Sequence, residues 1–481
     1  MRLSCVLALT ILAAGAASGS LRAQNQPQAD LFVQCVEPRN PAQHLEICTH
    51  ALEIPRLSVA DKSDLLNMRG LAYMARGDSA RAVADFTEAL KSVPGDAHTY
   101  INRGNVYDNM GDVVRAMADY DRAATLAPTQ PTVFYNRGLS FAHQGRLADA
   151  ITDFNEAIRL NADYADAYYN RAAAYAEQGD PARALSDIAE TLRREPDNID
   201  ALDLRGYLYA HSGNYAGALD DFGATIALKP QEPDGYYNRG NVYFLQKDFT
   251  RAAADFGQAI QLDPKDPLLY LARAHTHAGD GKLDEALSDL NKVVELDPKS
   301  SIAFENRGAL KRRKKDDDGA LADFTQAVNL NAKNAAAYFQ RGQIYYDRRA
   351  FDKTLSDYDK AASLSPESAD IQYGRCWVRA LLRRDLGVAR QACDAALKSA
   401  PGTPNGLAAR GLVNLEEKRF DEAFADYDAA LKADPHKPDY LYGRGLAAIR
   451  LGKAEGQADI AAARQVSTAA EDFFTDRGLK P

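Results

Sequence analysis

Small and aromatic residues recur along the chain at helical spacing, in pairs of stretches separated by a short polar break. Residues 233–264 show the pattern, with a polar break at residues 246–248. Before the break, one helical face carries Tyr236, Gly240 and Tyr243. After it, another helical face carries Ala252, Phe256 and Ala259. Asp263-Pro264 ends the second stretch, because proline disfavours a helical conformation for the residue before it. The pattern predicts two short amphipathic helices joined by a tight turn.

This helical pair recurs with a period of 34 residues. An arginine followed by a small residue or cysteine marks each copy, at Arg69, Arg103, Arg137, Arg171, Arg205, Arg239, Arg273, Arg307, Arg341 and Arg375, and again at Arg410 and Arg444 after one extra residue. The sequence therefore predicts about twelve copies of one hairpin between residues 63 and 465.

The period and the small residues at the eighth, twentieth and twenty-seventh places resemble the tetratricopeptide repeat (TPR) family. In the second copy these places hold Gly104, Ala116 and Ala123. The resemblance implies an all-α, right-handed superhelical solenoid that binds proteins or peptides in its concave groove. Because a solenoid stacks units without one central core, the length does not demand separate globular domains.

The two ends depart from the repeat. Residues 1–23 have a basic start, an apolar run and small residues before a cleavage point after Ala23, which is typical of a secretory signal peptide. Residues 24–62 are expected to form two short helices that cap the first repeat, and residues 466–481 a C-terminal capping helix with Phe473 and Phe474 against the last repeat. No later segment is apolar enough to cross a bilayer. We expect a periplasmic or secreted protein.

Four cysteines remain after Cys5 is removed with the signal peptide, in two local pairs. We expect disulfides between Cys35 and Cys48 and between Cys376 and Cys393, since an exported compartment permits them. Repeat register places Cys376 and Cys393 on the faces that meet inside the tenth hairpin. The alternative is that the pairs are buried free thiols.

The arginine at the seventh place and an aspartate at the twenty-third predict an ion pair that links the two helices of each hairpin, since an unpaired buried charge is costly. The tenth repeat has Ala392 at the matching place. We therefore expect its disulfide to substitute for a missing ion pair.

Amide side chains recur at the sixth place of the first helices and one turn later, on what the resemblance implies is the inner groove: Asn102, Asn105, Asn136, Asn170, Asn238, Asn241 and Asn306. The row resembles the asparagine ladder in the TPR region of O-linked N-acetylglucosamine transferase, which implies that it holds the backbone of a bound peptide. A carboxamide can both donate to a peptide carbonyl and accept from its amide. The alternative is that the amides only bond to neighbouring turns.

Apolar residues replace the amides on the inner places of the last three repeats: Tyr373, Trp377, Leu412, Tyr442 and Leu446. They could seat a hydrophobic anchor of a partner, or the terminal helix could fold back and cover them. In the eighth repeat, Arg312 and Arg313 fall on groove places, where they could grip an acidic side chain; the alternative is a solvated charge run.

The remaining features narrow the function. A formal net charge of −9 argues against a nucleic-acid partner, and His275 and His277 lie two residues apart, on different helical faces, which argues against a metal site. We find no catalytic motif, and no cofactor is expected. The sequence predicts a non-catalytic protein- or peptide-binding scaffold or assembly factor of the bacterial cell envelope. The alternative is an accessory spacer subunit of a secretion or polysaccharide-export machine.

Overall fold

The computed structural model describes residues 26–36 and 43–481, and within them it contains 27 α-helices and no strand. The predicted signal peptide lies outside these residues. The predicted all-α solenoid is confirmed: helices follow one another in pairs along the described chain.

The chain divides into two compact units, one ending at Val242 and the other beginning at Tyr243, within helix α13. The helices up to this boundary are α1 Gln26–Val36, α2 His44–Ala51, α3 Val59–Ala75, α4 Ser79–Ser92, α5 Ala97–Asn109, α6 Val113–Leu126, α7 Pro131–His143, α8 Leu147–Leu160, α9 Ala165–Glu177, α10 Pro181–Arg194, α11 Ile199–His211, α12 Tyr215–Leu228 and α13 Pro233–Leu245.

The helices of the second unit are α14 Phe249–Leu262, α15 Pro267–Gly279, α16 Leu283–Leu296, α17 Ser301–Arg313, α18 Asp317–Leu330, α19 Ala335–Asp347, α20 Phe351–Leu364, α21 Ala369–Leu382, α22 Leu386–Ser399, α23 Pro404–Glu416, α24 Phe420–Ala433, α25 Pro438–Arg450, α26 Glu455–Val466 and α27 Ala469–Thr475.

Within each unit the helices pack as successive hairpins. The first unit contains the pairs α3–α4 to α11–α12, and the second contains α15–α16 to α25–α26. The second helix of a pair also packs on the first helix of the next pair, as α4 does on α5 and α16 on α17. Each repeat is thus held chiefly by its sequence neighbours, which is the packing of a solenoid.

A glycine at the eighth place lets the two helices of a hairpin approach closely. A methyl group added to Gly138 would lie 2.8 Å from a ring carbon of Phe154, at the twenty-fourth place, and one added to Gly342 would lie 2.7 Å from the Tyr358 ring. Since real side chains do not approach so closely, glycine at this place allows the aromatic ring of the second helix to pack against the backbone of the first.

The turn inside each hairpin requires a left-handed residue at the fifteenth place. Glycine supplies it in seven repeats and lysine or arginine in five, with φ between 56° and 81°: Gly77, Gly111, Gly145, Gly179, Gly213, Gly281 and Gly452, and Lys247, Lys315, Arg349, Arg383 and Lys418. Residues with a Cβ adopt this conformation at a cost, so the sequence is locally suboptimal at these five turns.

The predicted ion pairs are present. The seventh-place arginine bonds the aspartate of the second helix at 2.6–2.8 Å in Arg69–Asp85, Arg103–Asp119, Arg137–Asp153, Arg171–Asp187, Arg205–Asp221, Arg273–Asp289, Arg307–Asp323, Arg341–Asp357, Arg410–Asp426 and Arg444–Asp459. The aspartates are almost fully buried, and in most pairs two arginine nitrogens meet two carboxylate oxygens. This fork geometry gives the pair both strength and orientation.

In several repeats the same arginine also reaches back to the preceding repeat. Its Nη1 donates to a residue at the twenty-fifth place of the preceding second helix, for example Asp121 from Arg137 at 2.7 Å and Asn291 from Arg307 at 3.1 Å. One guanidinium therefore joins three helices: its own, its hairpin partner and the last helix of the repeat before it.

The arginine of the tenth repeat has no aspartate in its own hairpin, as expected, but it bonds the preceding repeat. Arg375 Nε donates to Asp359 of the ninth repeat at 2.7 Å, and Arg379 bonds the other oxygen of Asp359 at 2.6 Å. The inter-repeat bond is thus retained although Ala392 removes the bond within the hairpin. That the disulfide substitutes for the missing bond within the hairpin stays a prediction.

Both expected cysteine pairs lie at disulfide distance. Cys35 in α1 and Cys48 in α2 have Cα atoms 4.9 Å apart, and α1 and α2 both pack on α3. Cys376 in α21 and Cys393 in α22 have Cα atoms 5.3 Å apart. The second pair occupies the eighth and twenty-fourth places, so a covalent link replaces the contact of glycine with an aromatic ring found in other hairpins.

Candidate partner-binding sites

Four of the seven asparagines that were expected to line an open groove are buried. Asn102, Asn105, Asn136 and Asn170 expose only 5–9% of their surface. The structure corrects the expectation for these four, because helices on either side leave little of each amide for a ligand to contact.

Each buried amide has a partner inside the protein. Asn102 Nδ2 donates to Asn67 Oδ1 of the preceding first helix at 3.1 Å, and Asn105 Oδ1 accepts from the Tyr120 hydroxyl at 2.7 Å.

The other two amides bond the backbone of their own helices. Asn136 Nδ2 donates to the Thr132 carbonyl at 2.7 Å, and Asn170 Nδ2 donates to the Asp166 carbonyl at 2.9 Å. Asn170 also donates to the Tyr135 hydroxyl of the neighbouring first helix at 3.1 Å. The bonds of all four buried amides thus join neighbouring turns and helices. This agrees with the alternative interpretation, in which the amides bond to neighbouring turns.

The remaining three amides are half-buried. Asn238 and Asn241 lie on α13, and Asn306 lies on α17 with its Nδ2 donating to the Ile302 carbonyl at 2.9 Å and its Oδ1 3.3 Å from His275 Nε2. Peptide binding by these three amides stays a prediction.

The two arginines of the basic run bond neighbouring helices. Arg312 Nη2 donates to Asp347 at 3.0 Å, and its Nη1 donates to Gln340 at 3.1 Å and to Gln343. Arg313 Nη2 donates to the Ala278 carbonyl of α15 at 3.1 Å. An acidic ligand would have to compete with these bonds, so the structure favours a structural role for both side chains.

A terminal helix covers the apolar inner places of the last three repeats. Leu412, Tyr442 and Leu446 are almost fully buried, so the expectation of an exposed apolar groove is wrong for these three. The helix responsible is α27, which packs on α25 and α26. Tyr373 and Trp377 stay partly exposed. We call the surface of α21, α23 and α25 beneath α27 the C-terminal cleft.

Aromatic pairs hold α27 in the C-terminal cleft. The Phe473 and Trp377 rings are nearly parallel, with centroids 6.2 Å apart, and the Phe474 and Tyr442 rings stack at 5.3 Å. Trp377 Nε1 donates to the Tyr346 hydroxyl of α19 at 2.8 Å. This bond holds the indole ring in place for its contact with Phe473. Such pairs add to the free energy that their apolar burial supplies.

A cavity of about 370 Å³ remains in the C-terminal cleft. Its volume is within the range of about 300–1,000 Å³ common for ligand pockets. Its walls are aromatic and aliphatic with a few polar groups: Tyr373, Trp377, Asn405, Ala408, Leu412, Tyr427, Lys437, Asp439, Tyr440, Ala469, Phe473 and Phe474.

The polar groups of the cavity are ordered. The Tyr440 hydroxyl donates to Asn405 Oδ1 at 2.5 Å, and burial raises the pKa of Tyr440 to about 12. Burial also raises the pKa of Tyr373. Both phenols are therefore neutral hydrogen-bond donors at physiological pH. The cavity offers an apolar, aromatic interior with hydroxyl, amide and charged groups at its wall.

Three residues of types that can bind metal ions lie close together in α1 and α2. The possible ligand atoms of Cys35, His44 and Cys48 lie within 4.8 Å of one another. Because the two sulfurs are joined in a disulfide, they are not available as the thiolates that bind metal ions. His44 Nε2 lies 2.9 Å from the Cys35 carbonyl, which gives the imidazole a structural partner.

None of the helices in residues 26–36 and 43–481 is long and apolar enough to span a membrane.

Family profiles match most of the sequence. A profile described as TPR repeat matches residues 138–179 and 206–247, and profiles described as tetratricopeptide repeat match residues 67–131, 166–198, 233–266, 271–335, 377–438 and 408–470. The chain belongs to the tetratricopeptide repeat family. Proteins built from TPR repeats generally act as protein-interaction scaffolds, and the hairpin packing agrees with this general role. A comparison with curated proteins found no match.

Several solved TPR structures resemble this TPR chain. Yeast Tom70 is 17% identical, with 84% of this chain and 98% of that chain covered and a TM-score of 0.38. A tetratricopeptide repeat protein from Parabacteroides merdae is 20% identical, with 59% and 98% covered and a TM-score of 0.38. YrrB, a TPR protein with an unusual peptide-binding site, is 26% identical, with 38% and 95% covered and a TM-score of 0.32. At these TM-scores the likenesses carry no argument about partners.

Two features of the site have no direct signal in the sequence: the cavity and the burial of the amides. The cavity depends on the small side chains of Ala408 and Ala469, whose positions relative to Trp377 become apparent only when α27 is placed. The amides were recognised from their 34-residue spacing, but spacing does not report how closely the neighbouring helix approaches.

Proposed function

We propose that this TPR protein is a non-catalytic binding scaffold or assembly factor of the bacterial cell envelope, and that it holds a protein partner through an apolar side chain inserted into the cavity of the C-terminal cleft. The observation that supports the site is the cavity itself, about 370 Å³ with Trp377 and Tyr373 in its wall. Buried aromatic pockets of this kind are where anchor residues of partners contribute most binding free energy.

An envelope location is supported by two features. The N-terminal 23 residues have the composition of a secretory signal peptide. The two cysteine pairs at disulfide distance are compatible with an oxidising, exported compartment.

A capture experiment with matched variants tests the proposal. Asn405 is exposed at the second place of its repeat and lines the cavity, so Asn405→Trp should block the cavity. The substitution also removes the bond that the Tyr440 hydroxyl donates, so the thermal unfolding of the variant is compared with that of the wild type. Ile302 is also exposed at the second place of its repeat in the same unit, but it does not line the cavity. Ile302→Trp is therefore the matched control.

The expected result is a crosslinked partner from the exported fraction that wild type and Ile302→Trp capture equally and that Asn405→Trp captures at least tenfold less. Equal capture by both variants would contradict binding at the cavity. Stable co-purification of the Asn405→Trp variant with an outer-membrane complex would instead favour the accessory spacer subunit of a secretion or polysaccharide-export machine.

A further inference from the structure

The segment that covers the C-terminal cleft has a simple chemical pattern. Two successive aromatic residues, Phe473 and Phe474, point at different walls: Phe473 stacks on Trp377 and Phe474 on Tyr442, while the two rings themselves meet edge to face at 5.1 Å. Three residues after the second ring comes Arg477, whose guanidinium carbon lies 3.7 Å from the centroid of the Phe473 ring.

A buried carboxylate of the cleft complements the arginine. The Glu416 side chain, at the end of α23, is only 2% exposed, and its Oε2 accepts from Arg383. Arg477 Nη1 donates to the Phe473 carbonyl at 2.7 Å, and its Nη2 donates to the Leu381 carbonyl of α21 at 3.5 Å. Burial lowers the pKa of Arg477, and the charge of Glu416 acts in the opposite direction. The cleft therefore provides two aromatic walls and a backbone carbonyl acceptor for the two rings and the guanidinium of the segment.

The fit of this segment within its own chain is incomplete. Glu416 Oε1 and Arg477 Nε are both buried without a hydrogen-bond partner in the described structure. The cavity also lies against α27, with Ala469, Phe473 and Phe474 forming part of its wall. Unpaired buried polar atoms and unfilled volume both weaken an interaction.

Helix α27 has only 7 residues, which is too short to be stable as a helix apart from its packing. Among the described helices it packs on α25 and α26, and Phe473 stacks on Trp377 of α21. A competing segment with a better fit could therefore replace it without disturbing the hairpins.

We propose that the C-terminal cleft recognises protein segments with two successive aromatic residues followed three residues later by arginine, and that α27 is the chain's own displaceable copy of such a segment. This proposal rests on the proposed function for the location of the site. It adds the chemistry of the partner segment and the role of α27, which covers the cleft when no partner is bound. A partner with a larger apolar residue in place of Ala469, four residues before the first ring, would also fill the cavity.

A synthetic peptide of residues 468–481, TAAEDFFTDRGLKP, is the probe. It is titrated against the full-length wild type and against a full-length variant with Phe473→Ala, Phe474→Ala and Arg477→Ala. Fluorescence of Trp377 gives the signal, because this is the single tryptophan of the chain and it stacks on Phe473. A peptide with both phenylalanines replaced by alanine is the matched control.

The variant is expected to bind the peptide at least tenfold more tightly than the wild type, whose own α27 competes. The Phe-less peptide should bind neither protein, and an Ala469→Leu peptide should bind the variant several-fold more tightly than the native peptide. Equal affinity of wild type and variant, or equal binding of the Phe-less peptide, would overturn the proposal. If the triple variant loses its cooperative thermal transition, the single variant Arg477→Ala is titrated in its place. It is expected to bind the peptide more tightly than the wild type, with a smaller increase in affinity than the triple variant.

Three further outcomes distinguish this inference from its alternatives. A wild type that sediments as a dimer, with the dimer lost on Phe473→Ala and Phe474→Ala, would assign the cleft to tails exchanged between copies and overturn recognition of a separate partner. Capture of an exported partner that is sensitive to Asn405→Trp, together with no peptide binding, would overturn this inference and leave the proposed function standing. Peptide binding without a captured partner would support this inference and overturn the proposed function.

Discussion

At the scale of single residues, the hairpin turn shows where this sequence departs from the best choice for its fold. The fifteenth place is left-handed in every repeat, yet Arg349 occupies it with φ of 56° where Gly145 occupies the equivalent place with φ of 71°. An L-residue with a side chain is strained in this region, whereas glycine is not.

Arg349→Gly should therefore stabilise the protein by about 1 kcal/mol, since relief of the left-handed strain exceeds the entropic cost of glycine in the unfolded chain. Arg349 is exposed, so little packing is lost. The measurement is urea unfolding, with a higher midpoint at an unchanged slope. The reciprocal control, Gly145→Ala, should lower the midpoint; a rise in the control, or no rise in Arg349→Gly, would refute the explanation.

At the scale of helices, the seventh-place arginine determines how strongly a hairpin is joined to its neighbour. Arg137 bonds Asp153 in its own hairpin and Asp121 in the preceding one. Arg205 bonds Asp221 in the same way, but the residue at the preceding twenty-fifth place is Ala189, which has no polar side-chain atom. The two repeats differ in this one bond.

Asp221→Ala should destabilise the protein by about 3 kcal/mol, because it leaves a half-buried guanidinium without its carboxylate. Asp153→Ala should cost about 1 kcal/mol less, since Arg137 keeps Asp121. Urea unfolding of both variants gives the comparison, and the double variant Asp121→Ala/Asp153→Ala should match Asp221→Ala. If the two single variants were equally unstable, the bond to the preceding repeat would contribute nothing.

At the scale of the whole molecule, the chain is stabilised by contacts between neighbours in sequence, and the two cysteine pairs act locally. One pair joins α1 to α2 and the other joins α21 to α22. In a solenoid the loss of one link should loosen its own repeat and the adjacent ones and leave distant repeats unchanged.

Reduction should therefore raise hydrogen exchange in α21–α22 by about 100-fold, the equivalent of about 3 kcal/mol for a loop closed over 17 residues. Helices α1–α2 should also exchange faster, while α7–α8 and α15–α16 should not change. A variant with Cys35, Cys48, Cys376 and Cys393 replaced by serine should show the loosened pattern without reductant. Uniform acceleration along the chain would contradict nearest-neighbour stabilisation.

The sequence predicted the framework well because the framework is periodic. Gly138 opposite Phe154 and Arg137 opposite Asp153 follow from places in a 34-residue repeat, and the same residue types recur in the other copies. The site was predicted less well because it depends on contacts that do not repeat. Asn170 is covered because Tyr135 approaches it, and Tyr442 is covered because Phe474 follows the last hairpin.

The seventh-place arginine bonds both its own hairpin and the preceding repeat in many copies, and this affects how such a chain can change its length. Most repeats carry a polar residue at the twenty-fifth place, such as Asp121 or Asp394, that receives the arginine of the repeat after it, whereas Arg205 follows Ala189 and has no such acceptor. A gene duplication of one whole 34-residue repeat would therefore place a matching donor and acceptor at the new junction without any further substitution. An insertion between these residues would change their spacing, whereas the extra residue of the tenth repeat precedes Asp394 and leaves Arg410 bonded to both Asp394 and Asp426. Growth by whole repeats therefore preserves the stack.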